Sequence, residues 1–240
     1  MAGHSKWSKV KRLKGAVDAK RSKVFAKIAK EIMVAVKVGG CADPDSNPRL
    51  RVALLKARSA NMPSDNVERI IKKATGDGLS IAYEDLVYEI YGPGGVAILV
   101  ELSTDNRNRT SAEIRAILAR NQGTLATAGA VTRLFQHKGQ FIIEKESANE
   151  EQLMEMAINA GAEDFKVEEE GYEIILPPSD FDELAKALDR AGISCASAAI
   201  TQLPELLVPV STKMAETVQK LLDALEDHDD VKEVFSNADM

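Results

Sequence analysis

The chain has 240 residues, 45% hydrophobic and 28% charged, which is ordinary for a soluble globular protein and enough for two or three modest domains. No uninterrupted apolar run approaches the roughly 20 residues that span a bilayer, and the N-terminus has no apolar stretch of the kind that marks a secretory signal, so neither a membrane protein nor a secreted one is expected. The formal net charge of −6 hides a strong polarity: residues 1–73 carry eighteen Lys and Arg against six Asp and Glu, leaving a surplus of eighteen negative charges on the remainder. A dense basic field of this kind, containing an aromatic residue, is the footprint of a polyanion binder.

The first fifteen residues place Lys6, Lys9, Lys11, Arg12 and Lys14 around Trp7, the only tryptophan, in a segment with little to bury. The plain reading is a solvated tail. The functional reading is an arm that orders on a phosphate backbone, with the Trp7 indole stacked on an exposed base. From Asp18 to Val38 the apolar residues Phe25, Ile28, Ile32 and Val36 recur at spacings of three and four and predict a helix ended by Gly39-Gly40. Lys20, Lys23, Lys27, Lys30 and Lys37 fall on the opposite side, and Arg21 adds to the same field. A charged stripe is often only the wet face of a helix; here it carries cations and no anion.

Asn47 and Pro48 predict the cap and first residue of a second helix, with Leu50, Leu54 and Ala57 inward and Arg49, Arg51, Lys56 and Arg58 pointing elsewhere. Ser64 or Asp65 is expected to cap a third helix running to about Ala74, followed by a linker at residues 75–78. The pattern then changes. Strands are predicted at 85–91 and 96–102 around Gly92-Pro93-Gly94-Gly95, and a helix at 107–121 with Asp105 or Thr104 as cap and Gly123 just past its end. A hairpin at 131–136 and 140–145 is expected to turn at His137-Lys138-Gly139. Helix 149–159, a hairpin at 165–169 and 172–176, helix 179–191 and a strand at 193–202 complete that unit. A last helix at 212–226 and a strand at 231–235 lack a sheet of their own. The piece beginning at residue 85 has the opposite deficit, two strands and one helix, so the two pieces are expected to form one discontinuous domain.

Arg107 and Arg109 stand in the first turn of their helix, where the helix dipole disfavours cations. They and the free amides there suit a phosphate or an acidic partner, with a capped helix start as the alternative. The Gly92–Gly95 cluster lacks the GK[ST] or GxGxxG pattern of a phosphate loop and reads as a turn. His4, His137 and His228 lie in three separate regions without metal-ligand spacing, and no nucleophile–base pairing is evident, so no metal, cofactor or catalytic residue is expected. Cys41 and Cys195 read as two reduced thiols of a cytosolic protein. Glutamates at 144, 146, 150, 151 and 168–170 read most simply as a solvated face that would repel nucleic acid; the other readings are an intramolecular shield for the basic arm or a surface for a basic protein partner.

The residues Met1-Ala2-Gly3-His4-Ser5-Lys6-Trp7, Lys14-Gly15-Ala16, Asp18-Ala19-Lys20-Arg21, Asp43-Pro44 and Asn47-Pro48-Arg49-Leu50-Arg51 resemble the YebC family. So do Asn61-Met62-Pro63, Asp65-Asn66, Glu68-Arg69, Tyr88-Glu89, Tyr91 through Gly95, Thr104-Asp105-Asn106 and Asn108-Arg109-Thr110. The match spans nearly the whole chain and implies that Met1 is the natural start. It departs from common family wording at residues 8–13 and at Cys41, which leaves individual contacts there open. The resemblance implies an α+β multidomain protein: a basic helical domain at 1–78 with an N-terminal arm, then two small α/β, ferredoxin-like domains. One would comprise residues 79–131 with 206–240, and the other, 132–205, would be inserted into it. Members are described as DNA-binding transcriptional regulators, whereas a mitochondrial translational activator among the relatives points to ribosomal RNA and relief of stalled translation. The expectation is thus a cytoplasmic, non-enzymatic nucleic-acid binder whose contacts are His4, Lys6, Trp7, Lys9, Lys11, Arg12, Lys14, Lys20, Arg21, Lys23, Lys27, Lys30, Arg49, Arg51, Lys56, Arg58, Arg107 and Arg109.

Overall fold

The computed structural model describes residues 18–76 and 83–240, with side chains from Ser22 onward in the first helix. Two compact units are formed, one from residues 18–76 with 137–201 and the other from residues 83–136 with 202–240.

The first unit opens with three helices, α1 (Asp18–Gly39), α2 (Pro48–Ser59) and α3 (Ser64–Thr75). Their apolar stripes meet in one core built from Ile28, Ile32, Ala35, Val36, Leu50, Ala53, Ala57 and Met62. Gly40, at φ +64°, supplies the left-handed residue that stops α1. Asn47 begins α2 as the sequence predicts, its side chain accepting from the Leu50 amide at 3.0 Å. The same side chain donates to the carbonyls of Ala35 and Cys41, so one buried amide ties two helices together. The expected caps of α3 are not made. The Pro63 carbonyl takes the Asn66 and Val67 amides, so the helix starts one residue earlier and Ser64 and Asp65 lie inside its first turn.

The same unit contains a four-stranded antiparallel sheet in the order β5 (Asp164–Val167), β6 (Gly171–Leu176), β4 (Phe135–Glu144), β7 (Ser197–Pro204). Helices α5 (Glu150–Asn159) and α6 (Phe181–Arg190) cover one face, around Phe141, Ile143, Leu153, Ile174, Leu176 and Leu184. The expected hairpin at 137–139 is instead part of the continuous strand β4. Gly139 pairs with Leu176 in the ladder, and a Cβ there would lie 3.0 Å from the Phe181 ring. The glycine serves close packing rather than a turn.

In the second unit the sheet order is β3 (Thr124–Leu125), β1 (Glu84–Tyr91), β2 (Ala97–Thr104), β9 (Val231–Ser236), with β2 pairing antiparallel to both β1 and β9. Ile90, Ile98, Val100 and Leu102 face α4 (Arg107–Arg120) and α7 (Thr212–Glu226), meeting Ile114, Leu118, Val218 and Leu221. Alternation sends Ala97 and Leu99 to the other face, where Val131, Phe135 and Phe235 cover them. A short parallel pair, β8 (Val208–Pro209) with β10 (Ala238–Asp239), closes the chain. Gly92–Gly95 forms the β1–β2 turn, with Gly94 and Gly95 at φ +75° and +77°. Two local expectations fail around α4. Its cap is Asn106, which accepts from the Arg109 amide, and its left-handed exit residue is Gln122, at φ +58°, rather than Gly123.

Candidate nucleic-acid interface

Of the expected contacts, His4, Lys6, Trp7, Lys9, Lys11, Arg12 and Lys14 lie outside the described residues, as do the side chains of Lys20 and Arg21. On α1, Lys23 is exposed while Lys27, Lys30 and Lys37 are half-buried; of the residues expected inward, Ile28, Ile32 and Val36 are buried and Phe25 half-buried. Val34, which shares the stripe of Lys27, Lys30 and Lys37, is also buried, at 1% exposure, so the lysine side of this helix is not simply its wet face.

On α2 the outcome differs from the sequence reading. Arg49 is half-buried at the first turn. Arg51 does not extend into solvent: its guanidinium pairs with Asp182 of α6, and its side chain is 14% exposed. It also donates to the carbonyls of Pro44 and Asp45. Lys56 reaches Glu31 of α1 at 3.3 Å. Arg58, 70% exposed, pairs with Asp189 of α6 at 3.3 Å. Three cations of α2 therefore each face a carboxylate from another element, an arrangement invisible to helical periodicity.

Arg107 and Arg109 also meet acids of their own chain. Arg107 lies 3.3 Å from Glu84, both exposed. Arg109 bridges Asp105 at 2.8 Å and Asp230 at 3.1 Å. Asp230 is 6% exposed and additionally accepts from the hydroxyls of Thr104, at 3.1 Å, and Thr110, at 2.6 Å. The acidic partner anticipated for these arginines is thus internal. The Thr104–Thr110 motif closes a buried polar network that joins the end of β2 to the starts of α4 and β9.

The fold brings His228 into this network, which its isolation in the sequence conceals. The Asp230 amide donates to His228 Nδ1 at 3.1 Å, so Nε2 carries the proton of the neutral ring toward Glu113 at 2.9 Å. Glu113, His228 and Asp230 each offer an atom within 4.8 Å of the others, the geometry of a cation site. Every one of those atoms already has a hydrogen-bond partner, and ligation through Nε2 would put a proton on Nδ1 against the Asp230 amide. The trio is a structural hinge of the network.

A second carboxylate is committed to the backbone. Glu89, on β1, accepts from the amides of Gly129, Val131 and Thr132 at 2.5, 2.6 and 2.8 Å. Burial alone would raise its pKa, but these hydrogen bonds, joined by the Thr132 side chain, outweigh it and hold the carboxyl below the ordinary glutamate range. Cys195 shows the uncompensated case: burial pushes its thiol up to about 12, where it is inert at neutral pH.

A family model described as the TACO1/YebC protein N-terminal domain matches residues 5–77, and one described as the TACO1/YebC second and third domain matches residues 83–238. A protein of Geobacter sulfurreducens named a probable transcriptional regulatory protein is 49% identical over 240 residues, covering 100% of this chain and 96% of its own. One of Desulforapulum autotrophicum with the same descriptive name is 50% identical, covering 100% of this chain and 97% of its own. The crystal structure of a conserved hypothetical protein from Aquifex aeolicus superposes with a TM-score of 0.79 at 41% identity, over 92% of this chain and 91% of that one. With both family models and full-length relatives matching, the chain belongs to the TACO1/YebC family.

Proposed function

We propose that this protein is a cytoplasmic, non-enzymatic regulator that binds nucleic acid, DNA in the first place, through its N-terminal basic segment. The observation that carries the reading is the charge polarity: a surplus of twelve positive charges on residues 1–73 of a chain whose net charge is −6. That segment coincides with the family's N-terminal domain, residues 5–77. The relatives' descriptive name, probable transcriptional regulatory protein, supports a regulatory role over a catalytic one.

In this reading residues 1–78 are the binding domain, while residues 79–131 with 206–240, and 132–205, are acidic domains that supply shape and protein contacts. The proposed contacts are the arm from His4 to Lys14 and the cations Lys20, Arg21, Lys23, Lys27, Lys30, Arg49, Arg51, Lys56, Arg58, Arg107 and Arg109; of these, Arg51, Lys56, Arg58, Arg107 and Arg109 would exchange a carboxylate of the chain for a phosphate. Replacing Lys6, Lys9, Lys11 and Arg12 with Ala removes up to four phosphate contacts. The slope of log affinity against log salt then flattens by about three to four. An unchanged slope in fluorescence titrations contradicts the reading. Titration of duplex DNA against ribosomal RNA fragments, with sedimentation of lysate on gradients, separates promoter binding from a ribosomal role, since phosphate contacts carry no base information.

A further inference from the structure

The two ion pairs between α2 and α6 share one register. Arg51 meets Asp182 and Arg58 meets Asp189, so donors and acceptors are each seven residues apart, two helical turns or about 10.5 Å. Lower number pairs with lower number, so the helices run side by side in the same direction. Beside the pairs, Val52 and Leu55 of α2 pack on the core to which Ala185 and Leu188 of α6 belong. Ala185 lies on the same stripe of α6 as the two aspartates, three residues past Asp182. The seam is graded along its length. At one end Arg51 and Asp182 are 14% and 34% exposed; at the other Arg58 and Asp189 are 70% and 74% exposed.

From this geometry we infer that α6 is an internal competitor for nucleic acid, a carboxylate ridge occupying the α2 arginines that a phosphate backbone would otherwise take. The inference rests on the nucleic-acid reading above and adds to it a built-in brake. An exposed ion pair is weak and screened by salt. A phosphate that binds a guanidinium with two parallel hydrogen bonds displaces a single carboxylate contact of the Arg58–Asp189 kind. The open end of the seam is where that exchange begins, and the Arg51 end, backed by Val52 and Leu55, resists it. The acidic face of the 137–201 portion therefore sets the affinity of the basic helices.

The test compares the full chain with the double variant Asp182→Asn, Asp189→Asn, and with a control, Glu155→Gln, Glu169→Gln. The control removes the same charge at exposed positions on α5 and the β5–β6 turn, outside the seam. A short labelled DNA duplex and an RNA of the same sequence are titrated with each protein at several salt concentrations. Removing both seam carboxylates frees Arg58 and leaves Arg51 held only by the Pro44 and Asp45 carbonyls, so binding of the seam variant tightens roughly threefold to tenfold and its salt slope steepens by about one to two, while the control matches the wild type. Unchanged or weaker binding by the seam variant overturns the brake and leaves the nucleic-acid reading standing. An equal gain in the control overturns it as well, assigning the effect to bulk charge. If no protein binds either probe, the nucleic-acid reading falls and the brake falls with it.

Discussion

Asp230 illustrates how much one buried carboxylate organises in this fold. It satisfies Arg109, Thr104 and Thr110 with its side chain, while its amide fixes His228 and its carbonyl takes the Ser103 amide. Hydrogen bonds to a charged group are each worth about 1.5–3 kcal/mol, so Asp230→Ala, which takes a charged acceptor from two threonine hydroxyls and Arg109, is expected to cost about 2–3 kcal/mol in denaturant unfolding. A loss within experimental error of zero would remove the network from the account. Glu89 provides a pH-dependent counterpart. Its pKa is depressed by the amides it caps, so its stabilising contribution is complete above the ordinary glutamate value of about 4.3 and fades as pH falls through its lower folded value. Glu89→Gln should therefore destabilise at neutral pH, and its difference from wild type should shrink below about pH 4. A difference that stays constant down to pH 3 would contradict the assignment.

At the scale of elements, legibility follows the range of the forces involved. The first two helices and the Asn47-Pro48 start were readable because capping and apolar periodicity are local. Asn47 exceeds its local role, since its amide also ties down the carbonyls of Ala35 and Cys41. Asn47→Ala should then cost about 2 kcal/mol, beyond the ~1 kcal/mol typical of a lost cap. A melting shift no larger than that of an ordinary cap variant would reduce Asn47 to a cap alone. Gly139 misled because a glycine between apolar runs signals a turn, whereas here the Phe181 ring on another helix demands the missing Cβ. Asn106 took the cap expected of Thr104 or Asp105: the Thr104 side chain is drawn to Asp230, more than a hundred residues away, and Asp105 pairs with Arg109. The fate of the α2 arginines was equally hidden, since Asp182 and Asp189 lie 131 positions downstream.

For the whole molecule the central claim is that one chain keeps its cationic and anionic surfaces in separate stretches of sequence, and that nucleic acid is held by the first. Net charge obscures this, because the −6 of the chain would predict repulsion from any polyanion. Within the unit that joins residues 18–76 and 137–201, the two surfaces meet along α2 and α6, where binding and internal pairing draw on the same arginines. The most direct measurement is ultraviolet crosslinking of the full chain to nucleic acid co-purified from cells, with mass spectrometric mapping of the modified peptides. The account predicts crosslinks concentrated around Trp7 and the lysines of α1, with those beyond residues 1–73 limited to the turn of Arg107 and Arg109. Crosslinks distributed over residues 83–240, with the basic segment unmodified, would contradict it.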